Sequence, residues 1–232
     1  MNMRIENKIV ITYAGLYILL IAIQVGLLAA TNINWNNDQN LIRFNSIANL
    51  SFYGIMALLF VVMLVSFWKK AFAQFKQNKW EYIKLIGLGF LTLIAVSMLM
   101  NVIYSLLGIT DTSDNQEQLN QLLEGGWFDQ MSLVLFAVFL APMVEEMVFR
   151  LAGFNFLMRI KVLPSWAVVV ITSLIFGFIH VMGSFDLEQI FYYAGLGVVL
   201  GYFYYRSKNI IVPIVIHMLL NGFVTFSMFF LY

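Results

Sequence analysis

Apolar residues gather into seven runs separated by short polar segments, at 9–30, 47–68, 85–108, 131–158, 164–183, 188–205 and 210–231. A bilayer core is crossed by about 20 apolar helical residues, and each run is close to that length. None alternates strictly between apolar and polar positions, as a lipid-facing barrel strand would. Inside lipid a helix satisfies its backbone N–H and C=O groups within its own segment, so runs of this kind fold as helices. The pattern predicts an all-α, polytopic transmembrane helix bundle of about seven spans, within a range of six to eight. The first run follows Arg4 and Lys8, as a signal-peptide core would, but its uncharged stretch is longer than such a core, and it reads as a retained span. The Asn-rich segment 32–46 and the acidic segment 110–130 read as surface loops. Segment 69–84, with five lysines against Glu81, reads as a loop lying on anionic lipid.

Charge sets the direction of the bundle. Arg4, Lys8, Lys69, Lys70, Lys76, Lys79, Lys84, Arg159, Lys161, Arg206 and Lys208 fall on one side of the seven spans; Arg43 lies on the other and Arg150 within a span. The positive-inside rule then places the N-terminus in the cytoplasm and the C-terminus outside a cell membrane, as a multi-pass protein. Only 11% of residues are charged, where a soluble domain carries about a quarter, so lipid must cover most of the surface. The chain reads as one membrane domain, 1–232. A net charge of +1 makes no case for nucleic acid, and the absence of cysteine excludes disulfides, thiolate metal sites and a cysteine nucleophile. The abundance of Ile, Asn, Lys and Phe suits an AT-rich bacterial genome. Gly197 and Gly201, four residues apart, permit close helix packing, within the bundle more readily than between two copies. Oligomeric state is not legible beyond that. The aromatic groups at 191–193 and 202–205 read as interfacial belts.

Against this apolar background five ionisable side chains stand inside predicted spans: Glu145, Glu146, Arg150, His180 and His217. Each costs several kcal/mol in hydrocarbon unless it is paired or faces a wet cavity, which makes intramembrane ionisable groups candidates for function. Glu146 and Arg150 are spaced i,i+4, the acid nearer the N-terminus, which is the better order for a pair. Glu145 points about 100° away and is left for another partner. His217 and Asn221 share a helix face, as do Phe176 and His180. With a rise of about 1.5 Å per residue, Glu145 lies roughly 20 Å, His180 roughly 24 Å, His217 roughly 12 Å and Asn221 roughly 18 Å from the basic face. Three helices can therefore bring these groups into one layer. Pro142 and Pro213 stand beside them. Each either kinks its helix and opens the bundle or, for Pro213, merely occupies a first turn.

The segments E-E-M-V-F-R at 145–150, F-G-F-I-H at 176–180 and H-M-L-L-N at 217–221 match the EExxxR, FxxxH and HxxxN motifs of the CPBP family. The chain resembles that family, which comprises the type II CAAX prenyl proteases and the bacteriocin-processing enzymes and is also called Abi. The likeness covers about 131–225; the spans within 1–130 are generic. It implies an intramembrane endopeptidase acting on a peptide or membrane-protein segment near the bilayer. Glu145 and His180 would activate water, His217 and Asn221 would stabilise the oxyanion, and Glu146 with Arg150 would hold charge balance. Peptide hydrolysis needs such a base and such donors. The resemblance implies no cofactor, although Glu145, His180 and His217 are also a possible three-ligand zinc set. Three other readings stay open: a buried ion pair with structural histidines, a proton-coupled transporter, and a family member acting by binding, such as a bacteriocin-immunity protein.

Overall fold

A computed structural model describes residues 4–30, 38–109, 113–182 and 186–231. The described residues form helices without strands: α1 (Ile5–Ala30), α2 (Asp38–Met63), α3 (Val65–Gln77), α4 (Lys79–Leu106), α5 (Asp114–Glu124), α6 (Trp127–Leu157), α7 (Ser165–Val181), α8 (Ile190–Ser207) and α9 (Ile211–Leu231). Among the described residues the seven apolar runs fall on α1, on α2 with the start of α3, and on α4, α6, α7, α8 and α9. Among the described residues α1, α2, α4, α6 and α9 are long and apolar enough to cross a membrane. α7 is apolar but has only 17 residues, and the hydropathy of α8 is diluted by its tyrosines and Arg206. The chain is a multi-pass membrane protein.

α6 is the central helix. Its apolar stretch is 67% buried, against 11% for α4, which presents most of its surface outward. Against α6 pack Ile9, Met56, Phe60, Val168 and Ile210, with Val144 and Met147 on α6 itself completely buried. α7 and α8 approach closely because glycine lines their seam. A Cβ at Gly197 would meet Ser173, and one at Gly201 would meet Val169, so both glycines face α7 inside the bundle.

Four predicted boundaries change. The Asn-rich segment 32–46 is helical from Asp38 onward, with 31–37 outside the described residues. The lysine-rich segment 69–84 is the end of α3 and the start of α4, with its lysines exposed on the helical surface. Helix continues there because Trp68 Nε1 donates to the Phe60 carbonyl across the bend at Leu64 while Ala71 turns inward. The acidic segment is mostly helical too. Ser113 caps α5 by accepting from the Gln116 N–H, and α6 starts at Trp127, with 110–112 outside the described residues. Of the aromatic groups read as belts, Phe191 and Tyr202 are exposed, whereas Tyr204 is buried and accepts from Asn155, and Tyr192 and Tyr193 turn inward to a cavity.

Polarity, not disorder, explains the acidic segment. Asp129 is 1% exposed and takes a bidentate pair from Arg43, Nε–Oδ1 2.8 Å and Nη2–Oδ2 2.9 Å. Ser46 Oγ donates to the same carboxylate at 2.7 Å, as does the Gly126 N–H at 3.0 Å. Arg43, the lone basic residue on its side, thus fastens α2 to the first turn of α6. Pro213 is the third residue of α9, where a missing N–H costs little, so it does not kink the helix beside His217. Pro142 differs, and its effect is felt in the site.

Candidate active site

α6 departs from α-helical register on both sides of the two glutamates, with wider π turns at Val134–Leu140 and Met147–Phe154 flanking Ala141–Glu146. In the first π turn the Ala141 N–H reaches the carbonyl five residues back, at Phe136. The next donor in that register would come from residue 142 and reach the Ala137 carbonyl. Proline has no N–H, so that carbonyl is left for another donor, and Asn221 Nδ2 of α9 takes it at 2.8 Å. The proline thereby sets one amide hydrogen of Asn221 and leaves its second free to turn toward the cavity that Asn221 lines.

The adjacent carboxylates diverge as helical geometry requires. Glu146 is fully buried; its Oε2 lies 3.1 Å from Arg150 Nε, and its Oε1 lies 3.1 Å from His217 Nδ1. The Arg150 contact is ionic rather than a directed hydrogen bond. Arg150, also fully buried, donates through Nη2 to the Gly197 carbonyl at 3.2 Å and lies 5.1 Å from the centroid of the Phe176 ring. Glu145 turns the other way. Its Oε1 accepts from the Tyr53 hydroxyl at 3.2 Å, and its Oε2 faces His180 Nε2 at 3.8 Å and His217 Nε2 at 3.9 Å.

Each imidazole is oriented from behind. His180 Nδ1 is 2.9 Å from the Phe176 carbonyl, which only accepts, so Nδ1 carries the proton and Nε2 presents its lone pair in the neutral ring. His217 Nδ1 likewise donates to Glu146. The His180 ring is clasped between Phe176, at 4.2 Å between centroids, and Tyr193, at 4.8 Å. The two Nε2 atoms and Glu145 Oε2 are too far apart for direct hydrogen bonds, and together they define a space for one water. A cavity of about 560 Å³ opens onto this point, lined at its base by Phe176, Leu200, His217 and Asn221 and further out by Ser97, Asn101, Asn115 and Gln116.

Comparison with known proteins covers the same helices. A family model described as type II CAAX prenyl endopeptidase, Rce1-like, matches residues 127–223. The membrane-embedded CAAX protease MroQ of Staphylococcus aureus (strain USA300) is 30% identical over 157 residues, 65% of this chain and 60% of that protein. The putative membrane peptidase YdiL of Bacillus subtilis (strain 168) is 26% identical over 135 residues, 58% of this chain and 51% of that protein. Over residues 127–223 the chain is similar to the type II CAAX prenyl endopeptidases, and this is the segment that carries the CPBP motifs. The chain matches a little over half the length of these relatives, and no solved structure matches it.

The six polar residues of the CPBP motifs converge. Glu145, His180, His217 and Asn221 line the one cavity, while Glu146 and Arg150 are sealed behind them. The predicted Glu146–Arg150 pair is present, and His217 joins it as a third member. The motifs did not point to Tyr53 of α2, Tyr193 of α8 or the Ala137 carbonyl. Tyr53 lies in a generic span, and nothing in its local sequence marks it; only its approach to Glu145 does. A different signal was present but unread: Ser97, Asn101 and Ser105 recur every fourth residue along an otherwise apolar α4. Among the described residues no group of three His, Asp or Glu side chains is arranged to hold a metal ion. Tetrahedral zinc at about 2.0–2.1 Å from its ligands brings them roughly 3.3 Å apart, closer than the 3.8 and 3.9 Å spacings around Glu145 Oε2.

Proposed function

We propose that the chain is an intramembrane endopeptidase that hydrolyses a peptide bond in a membrane-proximal peptide or protein with a water activated by glutamate and histidine. The observation that carries the reading is the three-sided space between Glu145 Oε2 and the two Nε2 atoms, at 3.8 and 3.9 Å, at the base of an open cavity. A water there donates one proton to the carboxylate and the other to His180 Nε2, and its lone pair faces the cavity. Attack on a substrate carbonyl moves the first proton to Glu145. The oxyanion that forms is met by the free amide hydrogen of Asn221 and by His217, whose ring has taken a proton from solvent onto Nε2 before the attack, so that Nε2 donates. The buried Glu146 carboxylate against Nδ1 supports that cation. Arg150 balances Glu146, so two acids can be buried side by side. Collapse of the intermediate returns the proton from Glu145 to the departing amine. Preorganised donors in a site of low dielectric need no reorganisation as charge develops.

The positive-inside reading belongs to the same proposal. The basic ends of α3, α4, α6 and α8 face the cytoplasm, and the α5 end of the bundle faces out. The expected result of Glu145→Gln, measured on purified protein in detergent with a cleavable peptide, is a loss of at least about 100-fold in kcat/KM with an unchanged melting transition. Full turnover would remove Glu145 from the mechanism. Metal content measured on the active preparation separates this reading from a zinc hydrolase, which would hold one ion per chain and lose activity when it is removed. A protein acting by binding alone would keep its biological effect in Glu145→Gln.

A further inference from the structure

We propose that the cavity takes its substrate from the face opposite the basic one, so that the peptide cleaved is an extended segment of a chain exposed on the outer side of the membrane. This rests on the hydrolase and orientation readings above and adds the route and class of the substrate.

Exposure rises in one direction through the cavity. Its base, Phe176 and Leu200, is 2% and 1% exposed. Farther out, Asn115 and Gln116 on α5 are half-buried, and Asn101 and Ser105 on α4 are exposed. Ser97, Asn101 and Ser105 form one stripe along α4, and Asn101 stands about 25 Å along the helix axis from Lys84. The opposite direction is closed. Between the catalytic layer and the basic ends lie Met147, Arg150, Val212, Ile216 and Phe203, none more than 2% exposed. A peptide arriving from the lysine-bearing face would have to pass through this packing.

The rim defines what it can accept. What the rim presents is hydroxyl and amide groups from Ser97, Asn101, Ser105, Asn115 and Gln116. Such groups serve the N–H and C=O of an extended backbone, as they would serve water.

The absence of cysteine from the chain makes the test direct, because one introduced thiol is the only target of a maleimide. Ser105→Cys and Asn115→Cys sit on the rim, and Lys161→Cys sits exposed on the basic side. In intact cells treated with a membrane-impermeant maleimide, both rim variants are expected to label, whereas Lys161→Cys labels only after permeabilisation. Labelling of Lys161→Cys in intact cells, with or without the rim variants, overturns the assignment. So does a rim that stays unlabelled after permeabilisation. The readout needs no turnover, so it can fail while Glu145→Gln still abolishes cleavage, or succeed when cleavage is never found.

Discussion

Tyr53 shows how a single hydroxyl can set the direction of a buried carboxylate. Its ring is held against Phe136, with 6.0 Å between centroids, and its hydroxyl reaches Glu145 Oε1 at 3.2 Å. That contact occupies one oxygen and turns the other toward the imidazoles. Hydrogen bonds to charged groups are worth about 1.5–3 kcal/mol. Tyr53→Phe keeps the ring and removes the hydroxyl, so kcat should fall about tenfold, roughly 1.4 kcal/mol, with KM little changed. Steady-state kinetics on the purified variant checks this, and an unaltered kcat would show that Glu145 holds its orientation without the phenol.

At the scale of elements, the geometry of His180 depends on how closely α7 can approach α8. A Cβ at Gly177 would stand 2.5 Å from the Ile190 carbonyl and 2.9 Å from the Ala194 nitrogen, both backbone atoms that cannot rotate away. Gly177→Ala must therefore part the helices, and His180 lies one turn further along α7. Overpacking of this kind costs about 1–3 kcal/mol. The variant should melt at lower temperature in detergent and lose activity by more than its unfolded fraction accounts for. A melting point equal to the parent's would mean that the seam is looser than its contacts indicate. On α6 the π turns and Pro142 act together, since the register that exposes the Ala137 carbonyl is the one that lets Asn221 be tied down.

Across the whole molecule, α2 is tied to α6 at a distance from Glu145. Arg43, Ser46 and the Gly126 N–H all converge on Asp129. Asp129→Asn cannot serve the guanidinium with two acceptors and leaves Arg43 without its counter-charge. The expected outcome is a lower thermal midpoint by a tryptophan-fluorescence melt, with cleavage at low temperature still at half the parent rate or better. The site itself, from Glu145 onward, is held by other contacts. Loss of all activity at low temperature would instead place this ion pair in the catalytic cycle.

Hydropathy sufficed for the helical class and for the stretches on which the five long apolar helices lie, because lipid forces each apolar run to close its own hydrogen bonds. Periodicity sufficed for the Glu146–Arg150 pair and for the divergence of Glu145, since both are set within one helix. The motifs sufficed to name the six polar residues that converge. The ends of α2, α4 and α6 escaped that reading, because polar segments at 38–46, 79–84 and 127–130 stay helical when packing and buried polar partners such as Arg43–Asp129 support them. Only the folded chain decided that Tyr53 meets Glu145, that His217 joins Glu146, that Asn221 replaces the hydrogen bond a proline cannot make, and that Ser97, Asn101, Asn115 and Gln116 line the same cavity as these groups. These are contacts between helices distant in sequence. Their distances depend on how side chains interlock across a seam, which no local pattern encodes.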